Sequence, residues 1–160
     1  MDDQDMPSCF IFIDKEGRWF HKGAEMVRRD IVRFFYERIG MDSLGRYVIH
    51  WGDEACYLDV EDTPFVVQKV RLEEDGGIQD FRLFLSDDTA ESLKPDTLFL
   101  GEENVLYCTV KHGRFPARFH RPAYYQLAEF VQEEEGRFYL SLNGKKYFIR
   151  PQASDELTPS

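Results

Sequence analysis

The chain has 160 residues, 42% of them hydrophobic and 15% aromatic, with 30 acidic against 20 basic side chains and a formal net charge of −10. That length suits one domain, or two small subdomains sharing a core, and buries roughly 70% of the unfolded surface without needing a disulfide. The acid excess argues against wrapping nucleic acid, whose phosphate backbone is held by clustered Lys and Arg.

The N-terminus carries three aspartates and no basic leader. The longest apolar runs fall far short of the ~20 residues of a spanning helix, so no membrane span and a cytoplasmic protein are expected. Cys9, Cys56 and Cys108 are odd in number, widely spaced and set in apolar runs. They read as buried, reduced thiols in a reducing compartment.

Residues 9–13 predict the first strand. Val27, Ile31, Phe34, Phe35 and Ile39 recur at helical spacing and predict an amphipathic helix over 25–39, ended by Gly40. This is the one basic stretch: Lys22, Arg28, Arg29, Arg33 and Arg38 outnumber Glu25, Asp30 and Glu37. It is either a solvated helix face or an anion or partner surface. Strands over 47–51 and 55–60 flank the turn Gly52-Asp53-Glu54.

A β meander follows over 65–72, 78–85, 97–100 and 105–110, broken by turn-forming residues. Pro122 suits the first position of a second helix, whose buried stripe is Tyr124, Leu127, Ala128 and Val131. Strands over 138–142 and 145–149 close around Asn143-Gly144, a strong hairpin signal. Residues 151–160 predict a disordered tail.

Residues 13–60 and 110–149 share an ordered pattern of strand, Gly-Arg-aromatic, polar turn, helix, Gly-Arg-aromatic and hairpin. The motif reads Gly17-Arg18-Trp19, Gly45-Arg46-Tyr47, Gly113-Arg114-Phe115 and Gly136-Arg137-Phe138. The expected fold is α+β: duplicated β-α-β-β repeats around a mostly antiparallel β meander. The first repeat forms an N-terminal subdomain over 1–62. The second lies in a subdomain over 63–150 that resembles pleckstrin-homology-like architecture.

Three segments, Gly17-Arg18-Trp19-Phe20-His21-Lys22-Gly23, Val60-Glu61-Asp62-Thr63-Pro64-Phe65 and Arg121-Pro122-Ala123-Tyr124-Tyr125, stand in an order and spacing similar to the bacterial family called domain of unknown function 1285. The resemblance covers roughly residues 9–130. It implies a duplicated α+β fold with a pleckstrin-homology-like C-terminal half, and a ligand- or partner-binding role in signalling with no established reaction. Its recurring residues map onto Trp19, Gly23, Glu61, Asp62, Pro64, Phe65, Arg121 and Tyr125. A seam between the halves is where they are expected to gather and form a pocket.

Each candidate has a plainer reading. Trp19 is a core or seam anchor, or a ligand platform. Glu61 and Asp62, as strand neighbours, point to opposite faces, and one of them pairs with Arg28 or Arg121. Arg121, preceding Pro122, is expected extended at a helix N-terminus, where its guanidinium and backbone N–H groups together hold an anion. The candidate ligand-binding set is Trp19, His21, Arg28, Asp62, Arg121 and Tyr125.

No phosphate loop, dinucleotide fingerprint, His-Glu-x-x-His or Cys-x-x-Cys occurs, so no cofactor and no metal are predicted. His21, His50, His112 and His120 sit in separate segments, with His21 and His120 just before the two helices. The favoured function is a non-enzymatic binding or regulatory protein in signal transduction, capturing a small anionic ligand or a protein partner at the seam. The alternative is a hydrolase or transferase of unfamiliar type using His21, His120 and Asp62. A third expectation is self-association through an open edge of the meander, blunted by Lys69, Arg71 and Arg82.

Overall fold

In a computed structural model, residues 6–151 are described, and all of the tail predicted over 151–160 except Pro151 lies outside them. Among the described residues the fold is α+β, mostly strand, with two α-helices, two single-turn 3-10 helices and three sheets. The chain divides into two compact units, Met1–Pro64 and Phe65–Ser160. Among the described residues no helix is long and apolar enough to cross a membrane.

The first unit is a six-stranded sheet. Its elements in chain order are β1 (Ser8–Ile13), β2 (Trp19–His21), β3 (Ala24–Glu25), α1 (Arg29–Tyr36), β4 (Ile39–Met41), β5 (Tyr47–Trp51) and β6 (Glu54–Val60). The spatial order is β3-β2-β1-β6-β5-β4, antiparallel except where β1 runs parallel to β6. Val32 and Tyr36, one turn apart on α1, are the helix's buried side chains. Trp19 meets Tyr36 edge-on at 4.7 Å and stacks on Phe35 at 6.3 Å. The Tyr36 hydroxyl donates to the Pro64 carbonyl at 2.9 Å.

The helix predicted over 25–39 is only eight residues long. Its first residues are taken by a tight hairpin through Lys22 and Gly23, both at positive φ, which returns Ala24–Glu25 along β2. Ile39 and Gly40 instead begin β4 and pair with Ile49 and Val48. Ile39 fits a helical period and a buried strand position equally well, and strand pairing decides it.

Two hairpins in this unit are built from the same five-residue device. Asp14 Oδ1 accepts the N–H groups of Glu16 and Arg18 while Oδ2 accepts Arg18 Nε at 2.7 Å. Asp42 Oδ1 accepts the N–H groups of Leu44 and Arg46 while Oδ2 accepts Arg46 Nε at 2.9 Å. Gly17 and Gly45 supply the left-handed residue at φ 84° and 81°. The recurrent Gly-Arg-aromatic signature is therefore the exit of a hairpin, and in the second unit Gly113 and Gly136 hold the same conformation at φ 76° and 80°.

The reading of three reduced thiols is corrected. Parallel pairing of β1 with β6 brings Cys9 and Cys56 to a Cα separation of 5.0 Å, within disulfide reach, and they are bonded. Cys108 alone is free and buried. The inference of a reducing compartment rested on three free thiols and loses that footing.

The second unit comprises β7 (Phe65–Asp75), β8 (Ile78–Leu85), β9 (Ala90–Ser92), β10 (Phe99–Leu100), β11 (Leu106–Val110), β12 (Phe115–Phe119), α2 (Arg121–Ala128), β13 (Val131–Glu134), β14 (Arg137–Leu142) and β15 (Lys145–Phe148). One sheet has the order β10-β11-β12-β7-β8-β9, with β12 parallel to β7, and the other β13-β14-β15. Its core includes Phe65, Phe81, Leu83, Leu85, Leu98 and Leu127. β12 pairs with β7 only over Phe65–Val67, and beyond that point Gln126 on α2 accepts the Val70 N–H at 2.7 Å.

Two links fasten the small sheet to the large one. Leu100 N–H donates to the Arg150 carbonyl and Arg150 N–H to the Leu98 carbonyl. At the other flank the Asn143 carboxamide grips Gln79 on β8.

Lys69, Arg71 and Arg82 were expected to blunt an open edge, but β7 and β8 are interior strands. The edges of the large sheet are β9 and β10. The second helix starts one residue earlier than predicted: Arg121 is its first residue, and His120 is the extended residue before it (φ −63°, ψ 152°). Val131, assigned to the helical stripe, begins β13 instead.

Candidate functional site

The six residues singled out from the sequence fall in both units. In the first, Trp19 is 1% exposed and acts as a core anchor, and its buried indole N–H has no hydrogen-bond partner among the described residues. His21 ends β2 on the surface. Arg28 pairs with Asp30 at 2.7 Å, and this contact holds the Asp30 carboxyl below its usual range.

Glu61 and Asp62 do not lie on a strand. They form the bend after β6, where Glu61 accepts the Lys15 N–H at 2.9 Å. Burial, and secondarily the Asp62 charge, push the Tyr47 phenol up. In the second unit Arg121 and Tyr125 stand one turn apart on α2, both exposed. The Tyr125 ring meets Tyr124 edge-on at 5.5 Å.

A shallow groove of about 440 Å³ runs over β1 and β2 in the first unit, lined among others by Phe10, Phe12, Phe20 and Lys22. Phe10 sits at φ 58° where the β1–β6 register shifts, which turns its ring outward to 61% exposure. The Lys22 ammonium lies 5.5 Å from that ring.

The second unit holds a more recessed cavity of about 500 Å³, a volume typical of small-molecule sites. α2 contributes Tyr124 and Ala128, one turn apart, while Ala123 and Leu127 face the core. The strands supply Leu100, Leu106, Val131, Phe138 and the following Ile149, and the polar members are Asn104, Gln132 and Glu133. Glu133 and Phe138 are directly paired across β13 and β14. Gln132 is fixed by the Tyr139 hydroxyl, which donates to its Oε1 at 2.8 Å. Glu103 and Asn104 are consecutive left-handed residues at φ 56° and 60°, placing a strained turn beside the cavity.

Sequence reasoning had Tyr124, Ala128 and Val131 only as a buried stripe. It missed the cavity because β13, Val-Gln-Glu-Glu, carries too little apolar alternation to read as a strand. Among the described residues no cluster of three or more His, Cys, Asp or Glu could hold a metal ion.

No protein-family model matches the chain, and no curated protein is similar enough to count as a match. Solved structures do resemble it. A DUF1285 family protein from Silicibacter pomeroyi DSS-3 superposes with a TM-score of 0.75 at 20% identity, over 95% of this chain and 85% of its own. A DUF1285 family protein from Shewanella baltica OS155 gives 0.62 at 16% identity, over 75% of this chain and 91% of its own. The resemblance carried by the Gly17–Gly23, Val60–Phe65 and Arg121–Tyr125 segments is thus borne out at the level of architecture, and the chain has the fold of proteins of the DUF1285 family.

Proposed function

We propose that this protein is a divergent DUF1285 member acting as a non-enzymatic binding module, and that the cavity of its second unit is where a small ligand enters. The observation that carries this reading is the cavity: about 500 Å³, walled mainly by apolar and aromatic side chains with a few polar groups. Among the described residues its lining has one carboxylate and one phenol and no Ser, Thr, Cys, Lys or His, a set that favours capture over chemistry. Each unit follows an eight-residue helix with three consecutive antiparallel strands, β4-β5-β6 and β13-β14-β15. That parallel supports reading the fold as a duplication, and the proposal extends to a pleckstrin-homology-like second half and a regulatory role in signalling.

A fragment titration followed by amide resonances tests the site. Apolar fragments are expected to shift Tyr124, Val131 and Phe138 together, and Ala128→Leu, which fills the cavity, is expected to abolish those shifts while leaving the far-ultraviolet circular dichroism unchanged. Shifts that persist in Ala128→Leu, or that never involve these residues, remove the proposal.

A further inference from the structure

We infer that the cavity of the second unit selects organic cations carrying an apolar body, an ammonium on an aromatic or aliphatic frame. This deepens the binding reading above and rests on it.

Charge comes first. Among the described residues Glu133 is the one charged side chain lining the cavity, and no Lys, Arg or His of them lines it, so an anionic head would meet repulsion there and no counter-charge. The basic residues of the adjoining hairpin have contacts of their own outside the lining. Lys146 Nζ pairs with Glu134 at 2.7 Å, the Arg137 guanidinium lies 3.9 Å from the centre of the Phe148 ring, and the Lys145 ammonium lies 5.1 Å from that of Tyr147. Directly across the strand Glu133 faces Phe138, an apolar ring.

Aromatic chemistry points the same way. Tyr124 and Phe138 both line the cavity, and ring faces attract ammonium groups through their quadrupole. A carboxylate accompanied by two aromatic side chains, in walls whose other polar members are the uncharged Asn104 and Gln132, is an acceptor set suited to amines. The apolar remainder of the cavity fits the body of such a ligand.

The test uses the full chain and three probes of one size: phenethylamine, 2-phenylethanol and 3-phenylpropionate, titrated at pH 7 with amide resonances as readout. The amine is expected to bind about tenfold more tightly than the alcohol, with the carboxylate weakest. Glu133 is exposed, so Glu133→Gln keeps the fold, and it is expected to bring amine and alcohol within about twofold of each other. If the alcohol or the carboxylate equals the amine, or if Glu133→Gln keeps the full preference, the cation assignment is overturned while the cavity remains a binding site. If no probe moves Tyr124, Val131 or Phe138, the cavity reading falls with it.

Discussion

The Asn143 side chain forms both hydrogen bonds of a β-bridge with the backbone of Gln79: Oδ1 accepts the N–H at 2.7 Å and Nδ2 donates to the carbonyl at 2.9 Å. Asn143 is also the left-handed residue at the tip of the β14–β15 hairpin, at φ 51°. Asn143→Gly keeps the left-handed turn accessible and deletes the bridge, at a cost of about 1–2 kcal/mol that includes the greater freedom of Gly in the unfolded chain. The melting temperature is expected to fall by about 2–8 °C, and no change would mean the clasp carries no stability.

Tyr36→Phe is expected to cost about 1–2 kcal/mol, because the Pro64 carbonyl is left buried without its donor while the ring packing against Trp19 survives. Denaturant midpoints measure this directly. A midpoint shift with an unchanged slope reads as a loss of stability, and no shift contradicts the prediction.

The Asp42 turn predicts a pH signature. Burial pushes its carboxyl up, but the N–H groups of Arg46 and Leu44 and the Arg46 guanidinium outweigh that and hold it below the usual carboxylate range. A depressed acid stabilises the fold above its unfolded pKa, about 3.9, and the contribution is lost as pH falls through the folded value. Asp42→Asn keeps the turn acceptor and removes the charge. It is expected to melt a few degrees lower than the natural chain at pH 7, with the gap closing below about pH 4. A gap that stays constant across that range contradicts the argument.

Thiol counting tests the cysteines. Native, unreduced protein is expected to leave iodoacetamide unreacted, unfolding to expose one thiol, and unfolding with reductant to expose three. Burial, and secondarily Glu91, push the Cys108 thiol well up, which suppresses the reactive thiolate. Above about pH 9 the unfolded thiol ionises and the folded one does not, so stability declines there. Cys56→Ser is expected to cost about 2–4 kcal/mol, from the loop of sequence separation 47 that the bond closes.

What the sequence revealed follows the range of the forces involved. Hairpins set by turn chemistry, Gly52-Asp53 and Asn143-Gly144, were legible because their signals lie within a few residues. β12 was missed because Pro116 breaks a strand pattern, and β13 because an edge strand of Gln and Glu has no alternation to detect. The overlong first helix arose where strand residues happened to match a helical period. The disulfide was invisible because it depends on a parallel pairing between residues far apart in sequence. The cavity was illegible for the same reason: its lining comes from β10, β11, α2, β13, β14 and the residue after β15, and only their assembly makes a concave surface.

With Cys9 and Cys56 joined, residues 9–56 of the first unit form a covalent ring, and a single cut inside it opens the ring without releasing a fragment. The turn from Asp42 to Arg46, tipped by the exposed Leu44, is the natural place for a protease to open it. Nicked there, β1 to β4 and β5 to β6 stay tethered through the disulfide, so the product is two polypeptides joined by one covalent link with their new ends in a surface loop. Electrophoresis is expected to show one intact band without reductant and two fragments with it.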